Sequence, residues 1–373
     1  MAEIRRAIGL MSGTSLDGVD VALIDTDGER IAAFGRAKTF PYDEPDRQVF
    51  RQAFEEARAL TDRTARPGVL AEAETLVTLR HAEAVEAFLA GERTEARAVD
   101  VVGFHGQTVF HDPARALTVQ IGDGQRLADR LRIPVVWDFR AADMAAGGQG
   151  APLASVFHRA LAETAGRAAP LLFLNIGGVA NVTFVGGDDV LIAFDTGPGN
   201  GLLDDWTRAR TGKPFDADGR LAASGRPSET ILEELLSNPY FTLPPPKSLD
   251  RDTFSMERLA GLSAADGAAT LLQFTALSIA ASIALLPERP NACFASGGGR
   301  HNKEMMRAIS GALAGIPLQP IEALGFDGDA TEAQAFAFLA ARAIEGKPLS
   351  YPLTTGVPRP LSGGRISRPA TSG

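Results

Sequence analysis

The chain is poor in the residues that build redox and metal centres: its 373 residues include one cysteine, Cys293, and five histidines. A single cysteine excludes an intrachain disulfide and points to a reducing compartment, so a cytoplasmic location is expected. His81, His105, His111, His158 and His301 form no zinc constellation by their spacing. A basic excess is also missing. With 37 Lys and Arg against 46 Asp and Glu, the net charge of −9 argues against a nucleic-acid partner, which needs a basic face. Long apolar runs are absent too. The longest, residues 271–286, is interrupted by Gln273, Thr275, Ser278 and Ser282, and it falls short of the roughly 20 residues of a membrane span, so it reads as a buried helix. The apolar stretch before Ser12 and Gly13 is too short for the core of a signal peptide.

What is present is an ordinary globular composition, 45% hydrophobic and 22% charged, in a chain long enough for two lobes. Strand-like runs and helical patterns alternate, which predicts an α/β architecture. Strands are expected over 7–11, 18–25 and 31–39, then helix from 46 to 89 with a break at Pro67-Gly68. A buried strand over 99–103 leads into a turn at His105-Gly106-Gln107-Thr108, followed by strand 117–121, helix 124–132 and strand 134–137. From Leu171 the order of strand, Gly-rich turn, strand, turn and strand recurs. Two lobes that each present one phosphate hairpin to a shared cleft would show such an echo; two unrelated hairpins would as well. The Pro-rich stretch 238–250 predicts an ordered surface loop or a substrate-side insertion, and the Gly/Ser/Arg-rich tail from Ser362 predicts disorder in its last residues.

Residues 8–25, IGLMSGTSLDGVDVALID, place a Gly/Ser/Thr-rich turn between two strand-like runs. Backbone N–H groups and two hydroxyls can gather on a phosphate there, with Gly13 and Gly18 providing close approach and positive φ. The candidate nucleotide-binding run is Gly13, Thr14, Ser15, Leu16, Asp17, Gly18, Val19 and Asp20, and the carboxylates of Asp17 and Asp20 suit a hydrated Mg²⁺. The other reading is a plain hairpin. No Gly-Lys-Ser/Thr follows and the next element is a strand, which excludes a P-loop and a dinucleotide fingerprint.

Asp195 follows four apolar residues and precedes Thr196-Gly197-Pro198-Gly199-Asn200, so it is expected at a strand end, where a partly desolvated carboxylate suits a general base. An Asx-turn or a helix N-cap are its alternatives. Gly177 and Gly178, with Asn175 and Asn181 fixing the turn, read as a second phosphate contact or a plain turn. Ser296-Gly297-Gly298-Gly299 reads as a strand end passing an adenosine, or as a loop glycine triplet. His105, Gln107, Asp138 and Arg140 follow apolar strands, as substrate-contacting groups or structural hydrogen-bonding ones; Arg140 suits a carboxylate. Glu332 sits where a capping box or a helix dipole favours an acid.

The phrase GLMSGTSLDGVD, Gly9 to Asp20, resembles the N-terminal signature of the anhydro-N-acetylmuramic acid kinases, members of the actin/hexokinase/Hsp70 ATPase superfamily. Further phrases match in the same order: GFHGQTVFHDP from Gly103, QIGDG from Gln120, DFRAADMAAGGQGAPL from Asp138, NIGGVANVT from Asn175, FDTGPGN from Phe194, SGGGRHN from Ser296 and EAQAFAFLA from Glu332. The resemblance implies a two-lobed, actin-like (ribonuclease H-like) α/β fold with a duplicated β-meander core and a central cleft. Residues 1–140 would form one lobe, 141–348 the second, and 349–373 would return to the first; a homodimer is implied as well. It makes Asp195 the base and Glu332 a second acid facing the sugar, and Gly297, Gly298 and Gly299 the adenosine motif. The implied cofactors are ATP and Mg²⁺, and the partner is a small amino-sugar whose lactyl carboxylate Arg140 would clamp.

The implied reaction is unusual for a kinase. Asp195 activates a water that opens the anhydro bridge of 1,6-anhydro-N-acetylmuramic acid, and O6 accepts the γ-phosphoryl group, giving N-acetylmuramic acid 6-phosphate and ADP in cell-wall sugar recycling. One departure is local: the family's Lys-Ser-Thr-Gly-Arg pattern is Lys247-Ser248-Leu249-Asp250-Arg251 here. The alternatives are an ordinary amino-sugar kinase and a non-catalytic sugar-sensing member of the superfamily. A chaperone would need a peptide-binding domain that does not fit after the ATPase lobes.

Overall fold

Apolar alternation at the N-terminus folds into an antiparallel meander of β1 (Arg5–Ser12), β2 (Gly18–Thr26) and β3 (Ile31–Pro41). The computed structural model describes residues 3–112, 115–249 and 253–370; Asp250 and Arg251 of the divergent phrase and the last three residues of the tail lie outside them. Next to β1 runs β4 (Val101–Asp112) in parallel, which pairs antiparallel with β5 (Leu117–Ile121) and parallel with β6 (Val135–Trp137). A short return strand, Arg365–Ser367, closes the far edge against β6. Helices Glu44–Ala57 and Leu70–Glu92 flank this sheet and bury Phe50, Val77 and Phe88, and the Pro67-Gly68 break falls between them.

A second sheet repeats the connectivity. The strands β7 (Leu171–Ile176), β8 (Val179–Val185) and β9 (Leu191–Pro198) form the meander, β10 (Ala292–Ser296) runs parallel to β7, and β11 (Leu318–Pro320) runs parallel to β10. The duplicated meander and the mixed α/β class are therefore as expected. In this unit Phe241, Phe254 and Phe274 meet at ring-centroid separations of 5.1, 5.6 and 5.7 Å. Burying each such ring contributes roughly 1.5–3 kcal/mol. Helix Ala264–Ser282 is longer than the expected 271–286 run; continued to Leu285, it is long and apolar enough to cross a membrane, and it is mostly buried.

The division between compact units differs from the expected one. One unit is Met1–Thr164 with Ala330–Gly373, the other Ala165–Asp329. The boundaries thus fall at 164/165 and 329/330 instead of 140/141 and 348/349. The reason is helix Thr331–Ile344, which lies on the first sheet: a Cβ at Gly9 would fall 1.7 Å from the carbonyl oxygen of Ala333, and one at Gly103 would fall 2.1 Å from that of Phe336. Only glycine permits this approach.

Three local expectations change. Residues 105–108 form no turn; β4 runs through them with a bulge, marked by φ 71° at Gly106 and a register shift against β1. Asp195 lies inside β9 instead of at its end, opposite Asn181, beside a second register shift. The Pro-rich stretch is a surface loop only in part: residues 242–244 are exposed, whereas Tyr240, Phe241, Lys247 and Leu249 are buried.

Candidate functional site

In the first unit, the root of the first hairpin is locked from below. Ser12 Oγ donates to Gln107 Oε1 at 2.6 Å, which uses its hydrogen, so Tyr42 Oη donates to Ser12 Oγ at 2.9 Å. Burial pushes the Tyr42 phenol up, keeping it a donor. Gln107 Nε2 also donates to the Gly13 carbonyl at 3.3 Å, so Gln107 holds the hairpin. Thr14, Ser15 and Asp17 are exposed at the tip, whereas Leu16, Gly18 and Val19 are buried. Positive φ falls on Leu16, at 59°, and not on Gly13 or Gly18. Gly18 is needed for space, since a Cβ there would lie 2.3 Å from Phe40 O; at Gly13 the nearest atom would be Ser15 Oγ at 3.7 Å. Gly13 therefore has room for a Cβ.

Asp20 lies on β2 opposite Met11 and Thr39, and its Oδ1 accepts from Thr39 Oγ1 at 2.5 Å. Among the described residues no group of three or more His, Cys, Asp or Glu is arranged around a metal position. A Mg²⁺ held through one or two carboxylates plus phosphates and waters needs no such group, and Asp20 offers the hard oxygen it favours.

A hollow within this unit is lined by side chains that include Arg63, Thr118, Gln120, Asp138, Arg140 and Met144. Arg63 pairs with Asp138, which sits in a turn at φ 54°. Arg140 Nη2 donates to His105 Nε2 at 3.2 Å, and Nη1 donates to the Gly150 carbonyl at 2.6 Å. His105 packs on Phe336 at 4.6 Å, and its Nδ1 bonds Gly106 O at 2.9 Å. Burial, reinforced by the Arg140 charge, pushes its pKa down to about 3, so the ring is neutral, with Nδ1 as donor and Nε2 as acceptor. Behind Arg140, buried Asp143 accepts from Gly150 N at 2.6 Å and from Thr355 Oγ1 at 2.5 Å. Glu332, exposed, is the second residue of its helix; Ala330 at the N-cap offers no side-chain oxygen, so no capping box forms and the dipole position remains.

In the second unit the environment of Asp195 is built by residues 240–249. Asp195 N donates to Lys247 O at 3.0 Å, Tyr240 Oη donates to Asp195 O at 2.7 Å, and Leu249 N donates to Asp195 Oδ2 at 2.8 Å. The side chain thus engages a distant segment, and the helix Gly201–Thr211 has Asn200, not Asp195, at its N-cap. The carbonyls of Gly177 and Gly178 accept from Asn200 N at 2.7 Å and from Gly199 N and Gly201 N at 3.0 and 3.1 Å, which ties that turn to the helix start. Gly297 has φ 77°, and a Cβ would fall 2.4 Å from Asn175 Oδ1; one at Gly299 would meet Ile176 Cγ2 at 2.2 Å. Gly298 is exposed, its Cβ direction clear to 4.0 Å, which leaves room for a ligand. His301 accompanies Arg300 on Asp329.

The family model described as anhydro-N-acetylmuramic acid kinase matches residues 5–369. The chain belongs to the anhydro-N-acetylmuramic acid kinase family. A relative of that name from Rhodopseudomonas palustris (strain HaA2) is 58% identical over 97% of this chain and 99% of its own length. One from Nitrobacter winogradskyi is 54% identical over the same shares, and one from Methylobacterium nodulans 52% identical over 98% and 100%.

In this anhydro-N-acetylmuramic acid kinase family member, sequence reasoning missed Tyr240, Arg63, Asp143 and Thr355. Tyr240 and Thr355 carry no sequence signal, since each acts through a contact far along the chain. Asp143 lies within the family phrase from Asp138, and Lys247 within the divergent one; both phrases were visible, their roles were not. Lys247 is buried, with Nζ donating to Tyr240 O at 2.8 Å and lying 4.5 Å from the Tyr240 ring centroid. Burial lowers its pKa to about 8 against the opposing pull of Asp195.

Proposed function

We propose that the chain is an ATP- and Mg²⁺-dependent kinase that hydrolytically opens 1,6-anhydro-N-acetylmuramic acid and phosphorylates its O6. The observation that carries this reading is the cradle of Asp195: a buried carboxylate fixed through Oδ2 by the Leu249 amide, in a member of a family named for that substrate. Asp195 takes one proton from a water whose oxygen bonds to C1. The C1–O6 bond breaks, the electron pair stays on O6, and O6 attacks the γ-phosphorus of ATP. N-acetylmuramic acid 6-phosphate and ADP leave, and Asp195 returns its proton to solvent.

Arg140, held by Gly150 O and His105, would pair its guanidinium with the lactyl carboxylate, with Asp138 and Arg63 at the same hollow. In the first unit exposed Thr14 and Ser15, beside Gly13, would contact nucleotide phosphate, and in the second unit exposed Gly298 would lie against the adenosine. Mg²⁺ would be held on the Asp20 side of the hairpin, with Asp17 at its tip, and supplies charge neutralisation to the phosphates. Need for ATP and a single cysteine favour a reducing, ATP-supplied compartment, the cytoplasm.

Turnover in ¹⁸O-labelled water tests the reaction. The label is expected at C1 of the product and absent from the transferred phosphate. Label in phosphate would mean ATP hydrolysis alone, and phosphorylation only of already opened sugars would favour an ordinary amino-sugar kinase.

A further inference from the structure

The strand that carries Asp195 is the last in its sheet, ordered β11–β10–β7–β8–β9. An outer strand leaves backbone groups without a neighbouring strand. At Asp195 residues 240–249 serve instead: they supply a carbonyl to its N–H, a phenol to its carbonyl and an amide to its carboxylate. Three bonds on one residue come from ten residues of chain, so the geometry of the carboxylate depends on how that segment is held.

The segment is closed on itself by Lys247. Its ammonium donates to Tyr240 O and lies 5.6 Å from the Phe194 ring centroid as well as over Tyr240. Burying an ammonium is unfavourable unless partners compensate, and here a carbonyl, two ring faces and the nearby Asp195 charge do so. A methionine would fill the space without that penalty, which leaves the clasp itself as the reason for a lysine.

We infer that Lys247 is a positioning residue for the base: by clasping Tyr240 O it keeps the 240–249 segment closed, so that the Leu249 amide fixes the Asp195 carboxylate in one orientation. This rests on the reading of Asp195 as the base. It also accounts for the departure from the family pattern at residue 249. Residue 249 touches Asp195 through its backbone N–H, so leucine in place of threonine leaves the bond in place, and proline alone lacks the donor.

The test uses the full chain with ATP, Mg²⁺ and the anhydro sugar. Among the described residues, the titratable groups placed at this cradle are Asp195 on β9 and Tyr240 and Lys247 on the segment; Asn181, opposite Asp195 on β8, does not titrate. Lys247→Met is expected to lower kcat about tenfold to hundredfold, the scale of a misplaced catalytic group. Both KM values should change less than about threefold. The acid limb of kcat/KM should move to higher pH, because losing a cation and a fixed amide donor disfavours the ionised carboxylate. Lys247→Arg, which keeps charge and donor, should restore both. Should Lys247→Met not fold, Lys247→Gln, which keeps a donor to Tyr240 O without the charge, should hold kcat nearer to wild type than its smaller shift of the limb would suggest, and a kcat loss in step with stability alone would count against the clasp.

An unmoved limb with unchanged kcat, or activity lost only in step with thermal stability, makes Lys247 structural and overturns the inference. Asp195→Asn is measured alongside. If it keeps turnover, the base reading fails; if it is inactive while the Lys247 variants behave as wild type, only the inference fails.

Discussion

The guanidinium of Arg140 donates to a neutral histidine, His105 Nε2, at 3.2 Å, while its other terminal nitrogen holds Gly150 O at 2.6 Å. An arginine anchored at both ends of its fork cannot wander, and its charge is not neutralised by the imidazole. That is a suitable state for a group awaiting a carboxylate.

Arg140→Lys should therefore raise the KM for the sugar about tenfold with kcat within about threefold, because one ammonium cannot keep both anchors and present a fork. Asp143→Asn should act in the same direction through the Gly150 loop, since its Oδ1 holds Gly150 N and its Oδ2 holds Thr355. Steady-state kinetics with the sugar varied decides this. An unchanged KM in both variants would remove Arg140 from substrate binding.

Asp195→Asn keeps the shape of the cradle and still accepts from Leu249 N, but it cannot take a proton. Turnover should fall at least about a hundredfold with nucleotide affinity nearly intact. Calorimetric titration of nucleotide together with the turnover assay separates the two quantities, and near-normal turnover would rule out the assignment.

The meanders, the helix break at Pro67-Gly68 and the buried helix were legible because their signals are local: apolar period, turn residues, run length. Asp195 was found by its phrase but placed at a strand end, because a bulged strand and a turn share the same Gly-containing sequence. The unit boundary was misjudged since the reason for it, helix Thr331–Ile344 settling on Gly9 and Gly103, joins residues more than two hundred positions apart. The same distance hid Thr355 behind Asp143. The Pro-rich stretch read as surface because of its prolines, which holds for exposed residues 242–244 but not for Tyr240 and Lys247, buried by their contacts with β9.

The glycines divide into those that need space for folding and those that face outward. Gly18→Val should destabilise the first unit, by a few kcal/mol, because its Cβ would overlap Phe40 O. Gly13→Val has room and should leave the thermal midpoint almost unchanged while weakening nucleotide binding. Gly297→Ala and Gly298→Ala form the matching pair in the second unit: the first is strained at φ 77°, the second is not. Equal stability loss at Gly13 and Gly18, or unaltered nucleotide affinity in both Gly13→Val and Gly298→Ala, would reduce these segments to plain turns.

Three histidines of the first unit, His81, His105 and His158, are buried, and burial pushes their pKa values down to about 4, 3 and 4 from 6.5; burial pushes that of half-buried His111 down to about 4 as well. Below pH 6.5 the unfolded chain binds protons that the folded chain refuses, so stability falls as pH drops and stops falling on this account only near pH 3 to 4. Each histidine contributes a slope of about 1.4 kcal/mol per pH unit, and the four together about 5.5. The carboxylates held down by ion pairs, Asp329 by Arg300 and Glu304 by Arg307, begin to cost stability only as pH nears their ordinary values of 3.8 and 4.5, which leaves the upper part of the window to the histidines. Urea midpoints should therefore drop steeply across that window, and His81→Phe should flatten the slope, since His81 already packs edge-on against Phe104 at 4.9 Å. A midpoint independent of pH from 7 to 5 would mean that these rings exchange protons with solvent in the folded state.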